Sequence, residues 1–134
     1  MTGWRIGYIA APANITKVIG NYLGHCTGSP SAISQKAALA ALTAPQDQVE
    51  TMRQAFEERR NYMVQRMNQI EGISCIKPEG AFYAWVFFDI GGMDSTQMCE
   101  YLLENAGVVG MPGSAYGEET ACCMRFSFAN ATED

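Results

Sequence analysis

Two arginines stand where an anion can be held. Arg5 lies in Gly3-Trp4-Arg5-Ile6-Gly7, with a glycine two positions away on each side. Those glycines strip one strand face of bulk and leave room for an oxyanion to reach the guanidinium. Arg125 lies in Met124-Arg125-Phe126-Ser127-Phe128, a charge among large apolar groups. A charge so placed is costly unless it is paired. From spacing alone each arginine has a second reading, an intramolecular ion pair or a solvent-facing edge position. His25, after Leu23-Gly24, reads as a polar surface or capping group at a helix end. Cys122 and Cys123 alternate along a strand and are expected on opposite faces, as two small buried residues, with a vicinal redox pair as the second reading. Tyr83 and Tyr116, each close to a glycine, either line a pocket or pack. Met52, Met63 and Met67 read as core filler. The Gly80-Ala81 turn lacks the glycine-rich loop and helix start of a phosphate loop.

Composition narrows the classes that such residues can serve. The chain has 134 residues, 48% of them hydrophobic and 17% charged, the profile of globular material. Nine basic and fourteen acidic side chains leave a net charge of −5. That balance argues against a nucleic-acid or membrane-surface role. An anion bound here is held by individual arginines and not by a general positive field. Five cysteines and one histidine, with no CxxC, give neither a disulfide framework nor a zinc site. Reduced thiols point to a cytoplasmic protein. No apolar run approaches the ~20 residues that cross a bilayer. The opening MTGWRIGYIAAP lacks the basic start and long apolar stretch of a signal peptide.

The elements that position these residues follow from periodicity. Alternation over residues 3–10 predicts a strand ended by Pro12. Asn14 then caps a helix whose apolar stripe is Ile15, Val18, Ile19, Tyr22 and Leu23, with Gly24 as its stop. Ser29-Pro30 opens an alanine-rich helix to Leu42. Thr43-Ala44-Pro45-Gln46 has a capping-box pattern and opens a long helix to Ile70. Its inward stripe is Val49, Met52, Phe56, Met63, Met67 and Ile70. At 1.5 Å per residue such a helix is roughly 37 Å long and reads as a spine between two lobes. Residues 73–76 are a short strand, and residues 81–88 a strand apolar enough to be buried on both faces. Asp94 or Ser95 caps a helix over residues 96–105. Val108-Val109 is a short strand, Met111-Pro112-Gly113-Ser114 a turn, and residues 122–128 the last strand. On that strand Met124, Phe126 and Phe128 face one way, and Cys123, Arg125 and Ser127 the other.

The string as a whole is more specific than its parts. Met1-Thr2-Gly3-Trp4-Arg5-Ile6-Gly7-Tyr8 resembles the segment that follows the Schiff-base lysine in class I/II pyridoxal-phosphate-dependent aminotransferases, enzymes of the aspartate aminotransferase fold (fold type I). Ser29-Pro30 with Gln35-Lys36-Ala37-Ala38 and Ala41-Leu42 is similar too. So are Pro78-Glu79-Gly80-Ala81-Phe82-Tyr83, Pro112-Gly113-Ser114-Ala115-Tyr116-Gly117 and Arg125-Phe126-Ser127-Phe128-Ala129. These landmarks stand in the family's order over nearly the whole chain.

The resemblance implies a fold of the α/β class, with an α+β small domain, that forms the C-terminal part of fold type I. Residues 1–44 would be the tail of the large cofactor domain, a strand plus two helices. Residues 45–134 would be the small C-terminal domain with its long linking helix, its closing helix missing after Asp134. It further implies that Arg5 binds the phosphate of pyridoxal 5'-phosphate and Arg125 the α-carboxylate of the substrate. The turns at residues 80–83 and 112–117 would border the substrate cleft. The implied reaction is ping-pong amino transfer between an amino acid and a 2-keto acid, the cofactor acting as electron sink.

No catalytic residue is assigned within the chain, because the family's lysine lies just before the Met1 position. Lys17, Lys36 and Lys77 match no such motif. The expectation is therefore a fragment inactive on its own that does not itself hold the cofactor. The whole enzyme would be a homodimer. In the fragment, residues 1–44, having lost their parent sheet, would be rearranged, disordered or paired with another copy. Two alternatives stand beside this. One is a lyase or synthase of the same fold acting on carbon–sulfur bonds. The other is a non-catalytic effector or oligomerisation domain.

Overall fold

The computed structural model describes residues 1–129, which fall into two compact units, 1–46 and a second beginning at Asp47. In the first unit Thr2–Trp4 is a 3-10 turn, closed by the Trp4 amide on the Met1 carbonyl at 3.1 Å. Residues 5–12 have no regular structure, so the strand expected over residues 3–10 does not form. Alternation decides only which side chains share a face; a strand also needs a ladder partner. No segment of this unit supplies one, and Arg5, at φ 49°, turns the backbone out of the extended region.

Helix α1 spans Ala13–Cys26 and starts behind Pro12 instead of Asn14. It passes the expected stop at Gly24 and ends at Thr27, whose amide and hydroxyl both donate to the Leu23 carbonyl. Helix α2 spans Ala32–Thr43, starting at Ser31 and not at Ser29-Pro30. Its Ser34 hydroxyl is buried and donates to the Trp4 carbonyl at 2.9 Å. Gln46 was expected to help open the next helix. Its amide instead donates to the carbonyls of Ala41 and Ala44, closing the end of α2.

The second unit begins with α3, Asp47–Met67. It continues with β1 (Ile73–Cys75), β2 (Tyr83–Phe88), α4 (Ser95–Ala106), β3 (Met111–Pro112) and β4 (Cys123–Ser127). The four strands form one antiparallel sheet in the order β1-β2-β4-β3. Val108 does not join it, because its amide donates to Leu102 in the turn that ends α4. That turn needs Gly107 at φ 63°, a left-handed C-terminal cap. The third strand falls at Met111–Pro112 instead, against Arg125 and Met124. Asp94 caps α4 by accepting from the amides of Thr96 and Gln97, while the Gln97 side chain accepts from the Asp94 amide.

One sheet face carries the main core cluster: Ala84, Val86 and Phe88 of β2, and Met124, Phe126 and Phe128 of β4 and its continuation. Phe56, Met63, Val64 and Met67 of α3 and Met98 and Leu102 of α4 cover it. Val49, Met52 and Ile70 of the expected stripe are exposed. The expectation that β2 is buried on both faces also fails. Tyr83 and Phe87, on its other face, are each 37% exposed. An apolar run on both faces fits a covered strand, but here its second face meets Arg125.

Candidate functional site: an arginine among aromatic rings

Arg125 projects from β4 on the face opposite the core. Trp85 is its partner directly across the ladder on β2, and Tyr83, opposite Ser127, is its diagonal neighbour. The guanidinium carbon lies 4.3 Å from the centre of the Tyr83 ring and 5.2 Å from that of Tyr116. Tyr116 meets Trp85 edge to face, with 5.3 Å between ring centres. Such stacking contributes about 0.5–2 kcal/mol, rising as water is excluded. Both contacts seat the guanidinium over aromatic rings and not against a carboxylate. The guanidinium carries its N–H donors in one plane, as a planar fork. Among the described residues the ion pairs join Arg53 to Glu50 and Glu57, and Arg60 to Glu57; no carboxylate pairs with Arg125. Among the described residues, then, Arg125 is not half of an internal salt bridge.

Tyr116 is carried by a 3-10 turn, Gly113–Tyr116, which is held from three sides. A Cβ added at Gly113 would run into the carbonyl oxygens of Thr120 and Cys123. The Thr120 hydroxyl donates to the carbonyls of Gly113 at 2.6 Å and Gly117 at 2.7 Å. Ser95, fully buried at the start of α4, accepts from the Ser114 amide at 3.1 Å. The Pro-Gly-Ser landmark of the sequence is thus a device for presenting Tyr116 to Arg125.

Arg5 belongs to the first unit, where it is exposed. Nothing stands within 4 Å of a Cβ built at Gly3 or Gly7, the glycines on either side of it. His25 is exposed in the last turn of α1, as a surface group. Lys17, Lys36 and Lys77 are all exposed. Arg53 and Arg60 line a second cleft of about 250 Å³. Their carboxylate partners Glu50 and Glu57 already neutralise them, so that cleft is no anion site.

Sequence reasoning missed Trp85. The signal was the alternation Tyr83-x-Trp85-x-Phe87 opposite Cys123-x-Arg125-x-Ser127. It also misplaced the thiols of Cys122 and Cys123, whose sulfurs lie 3.9 Å apart.

Fold and site together define a small α/β lobe that presents an arginine, flanked by tyrosines, on the open face of an antiparallel sheet. A family profile described as aminotransferase class I and II matches residues 1–134. The chain is 41% identical to the aspartate aminotransferase of Geobacillus stearothermophilus, over 99% of this chain and 35% of that enzyme. It superposes on the aspartate aminotransferase of Rhizobium meliloti with a TM-score of 0.80 at 37% identity, covering 98% of this chain and 35% of that one. Against an alanine aminotransferase from Pyrococcus furiosus the TM-score is 0.84 at 35% identity, with the same coverage. The chain belongs to the class I and II aminotransferases, a pyridoxal-phosphate-dependent family, and spans about a third of the length of these relatives. No helix among the described residues is long and apolar enough to cross a membrane.

Proposed function

We propose that this chain is the part of a pyridoxal-phosphate-dependent aminotransferase that grips the two anionic ends of the reacting assembly. Arg125 takes the α-carboxylate of an amino acid or a 2-keto acid through its planar fork. Tyr83 and Tyr116 fix the plane of that fork, and Trp85 backs Tyr116 from the sheet. Arg5 takes the phosphate of the cofactor. When bound, the cofactor supplies an electrophilic carbonyl and an electron sink. The observation that carries this reading is a guanidinium seated over two aromatic rings with no carboxylate partner among the described residues.

The proton-moving lysine is assigned to the part of the relatives that this chain does not match. Residues 1–44 accordingly read as the end of a cofactor domain and residues 45–134 as the small domain. Alone, the chain is proposed to be inactive. The whole enzyme is proposed to be a cytoplasmic homodimer. In the chain itself an apolar groove lined by Met1, Ile6, Tyr8, Leu39 and Leu42 favours self-association through the first unit.

The test is a chimaera. The unmatched part of the Geobacillus stearothermophilus enzyme is fused to residue 1 and assayed for amino transfer to 2-oxoglutarate with added pyridoxal phosphate. Activity in the chimaera, none in the chain alone, and loss on Arg125→Leu are expected. Release of pyruvate or sulfide without a keto-acid acceptor would instead assign a lyase. A folded chimaera with neither activity would overturn the reading.

A further inference from the structure

The thiols of Cys122 and Cys123 lie outside this chemistry, and their geometry is unusual for neighbours in sequence. Cys123 is the first residue of β4, whereas Cys122 belongs to the turn before it. The two sulfurs therefore do not take opposite faces, as strand alternation predicts, but stand 3.9 Å apart. They differ in access. Cys122 is exposed and Cys123 is buried at 1%. No other pair of cysteines is in contact among the described residues. The Cys75 and Cys99 thiols point to the carbonyls of Ile76 and Gly110, and Cys26 stands alone on the surface.

We propose that Cys122 and Cys123 form a two-thiol site that a peroxide converts reversibly to a vicinal disulfide. The exposed Cys122 sulfur, as thiolate, attacks one peroxide oxygen. The O–O bond breaks, Cys122 becomes a sulfenic acid, and the departing hydroxide takes a proton to leave as water. The Cys123 sulfur then attacks the Cys122 sulfur. The S–S bond forms, the S–O bond breaks, and the hydroxyl departs with the Cys123 proton as a second water. Two thiols lose two electrons in total, and one peroxide gains them.

The division of labour follows from burial. Desolvation, followed by the hydrogen bond with Cys122, pushes the Cys123 thiol up, which keeps it protonated until Cys122 has been oxidised. Closure brings the sulfurs about 2 Å nearer, to the bonded distance of ~2.05 Å, inside a ring containing the intervening peptide. A ring so constrained is strained, and strained disulfides are the readily reduced ones.

The bond has a local reporter. Trp85 stands diagonally across the β2–β4 ladder from Cys123, on the same face of the sheet. Trp85 is also the cross-strand partner of Arg125 and touches Tyr116. Joining the Cys123 sulfur to Cys122 places a disulfide, an efficient fluorescence quencher, diagonally across the ladder from the indole.

The test uses the full chain with Trp4→Phe, which leaves Trp85 as the tryptophan that reports. The protein is treated with a few equivalents of hydrogen peroxide and digested after Glu119 and Arg125. Peptide 120–125 is expected to lose the mass of two hydrogen atoms and to regain it with dithiothreitol, while Trp85 emission falls and recovers in step. Cys122→Ser is expected to abolish both changes. Cys123→Ser is expected to leave a sulfenic acid at Cys122 that dimedone traps. The proposal is overturned if peptide 120–125 keeps both thiols while Cys26 oxidises. It is equally overturned if Cys122 proceeds to sulfinic acid with Cys123 present, or if the cysteines link chains instead of each other.

Discussion

Arg125 reaches diagonally across the β2–β4 ladder to place its guanidinium 4.3 Å from the ring centre of Tyr83, past Trp85, its direct partner. Diagonal neighbours in an antiparallel pair are ~7–8 Å apart at the backbone, within reach of a long side chain meeting an aromatic one. The contact seats the guanidinium over the ring, and the proposed carboxylate role of Arg125 builds on that seat.

Arg125→Leu in the active chimaera should therefore lower kcat/KM for amino acids by roughly tenfold to a hundredfold for each charge-assisted hydrogen bond lost, or about 1.5–3 kcal/mol each. Arg125→Lys keeps the charge but not the fork and should recover only part of the loss. The control is the corresponding amine without its carboxylate. Its turnover should not respond to either change. An equal loss for acid and amine would mean that Arg125 merely holds the sheet.

Gly113→Ala should be among the most damaging single-methyl changes in the second unit. The new Cβ meets backbone oxygens of Thr120 and Cys123, which cannot rotate away as a side chain can. Overpacking of this kind costs about 1–3 kcal/mol, and more where backbone must move. Urea unfolding should show a lower midpoint. The Tyr116 ring should also leave Arg125, seen as a loss of the ring-current shift on the arginine side-chain protons.

Ser95→Ala tests the same loop from α4. It removes the acceptor of the Ser114 amide at a fully buried position. A buried donor left without a partner costs about 1–3 kcal/mol. Ser95→Gly is a poor control, because it adds helix-propensity loss. Hydrogen exchange at Ser114 is the sharper measurement and should accelerate in Ser95→Ala, with β1 and β2 amides changing far less.

The second unit was largely legible from sequence because its signals are local. Asp94 with Gln97 marks the start of α4 by side chains that bond within one turn, and Gly107 marks its end by a left-handed backbone. The alternation of Met124, Phe126 and Phe128 against Arg125 predicted the two faces of β4, which the structure keeps. The first unit was not legible in the same way. Alternation over residues 3–10 describes a strand only where a partner strand exists, and in this unit Arg5 takes a left-handed turn instead. The site was half legible. Arg125 stood out as a charge among apolar residues, but its setting did not. Tyr83, Trp85 and Tyr116 converge through sheet register and a loop folded around Gly113, and neither is encoded in spacing along the chain.

Acid should weaken α3 in a defined window. Arg53 donates to Glu50 through two nitrogens, each at 2.8 Å, and to Glu57 at 2.8 Å. The hydrogen bonds from Arg53, and secondarily from Gln54, hold the Glu50 carboxyl well below its ordinary 4.5, at about 2. Arg53 likewise holds the Glu57 carboxyl down. Between those two values the unfolded chain takes up a proton that the folded helix refuses. Stability from Glu50 is thus complete above about 4.5 and is lost as the pH falls toward about 2. Both side chains of the Arg53–Glu50 pair are more than half exposed, so the contribution is small and screened by salt. The expected result is a Glu50 carboxyl that titrates near 2 by carbon NMR at low ionic strength. Arg53→Gln, or molar salt, should move it back toward 4.5. Glu50→Gln should flatten the acid limb of helicity measured by circular dichroism. A Glu50 that titrates at its ordinary value in the unaltered chain would show that the pairs seen along α3 do not persist in solution.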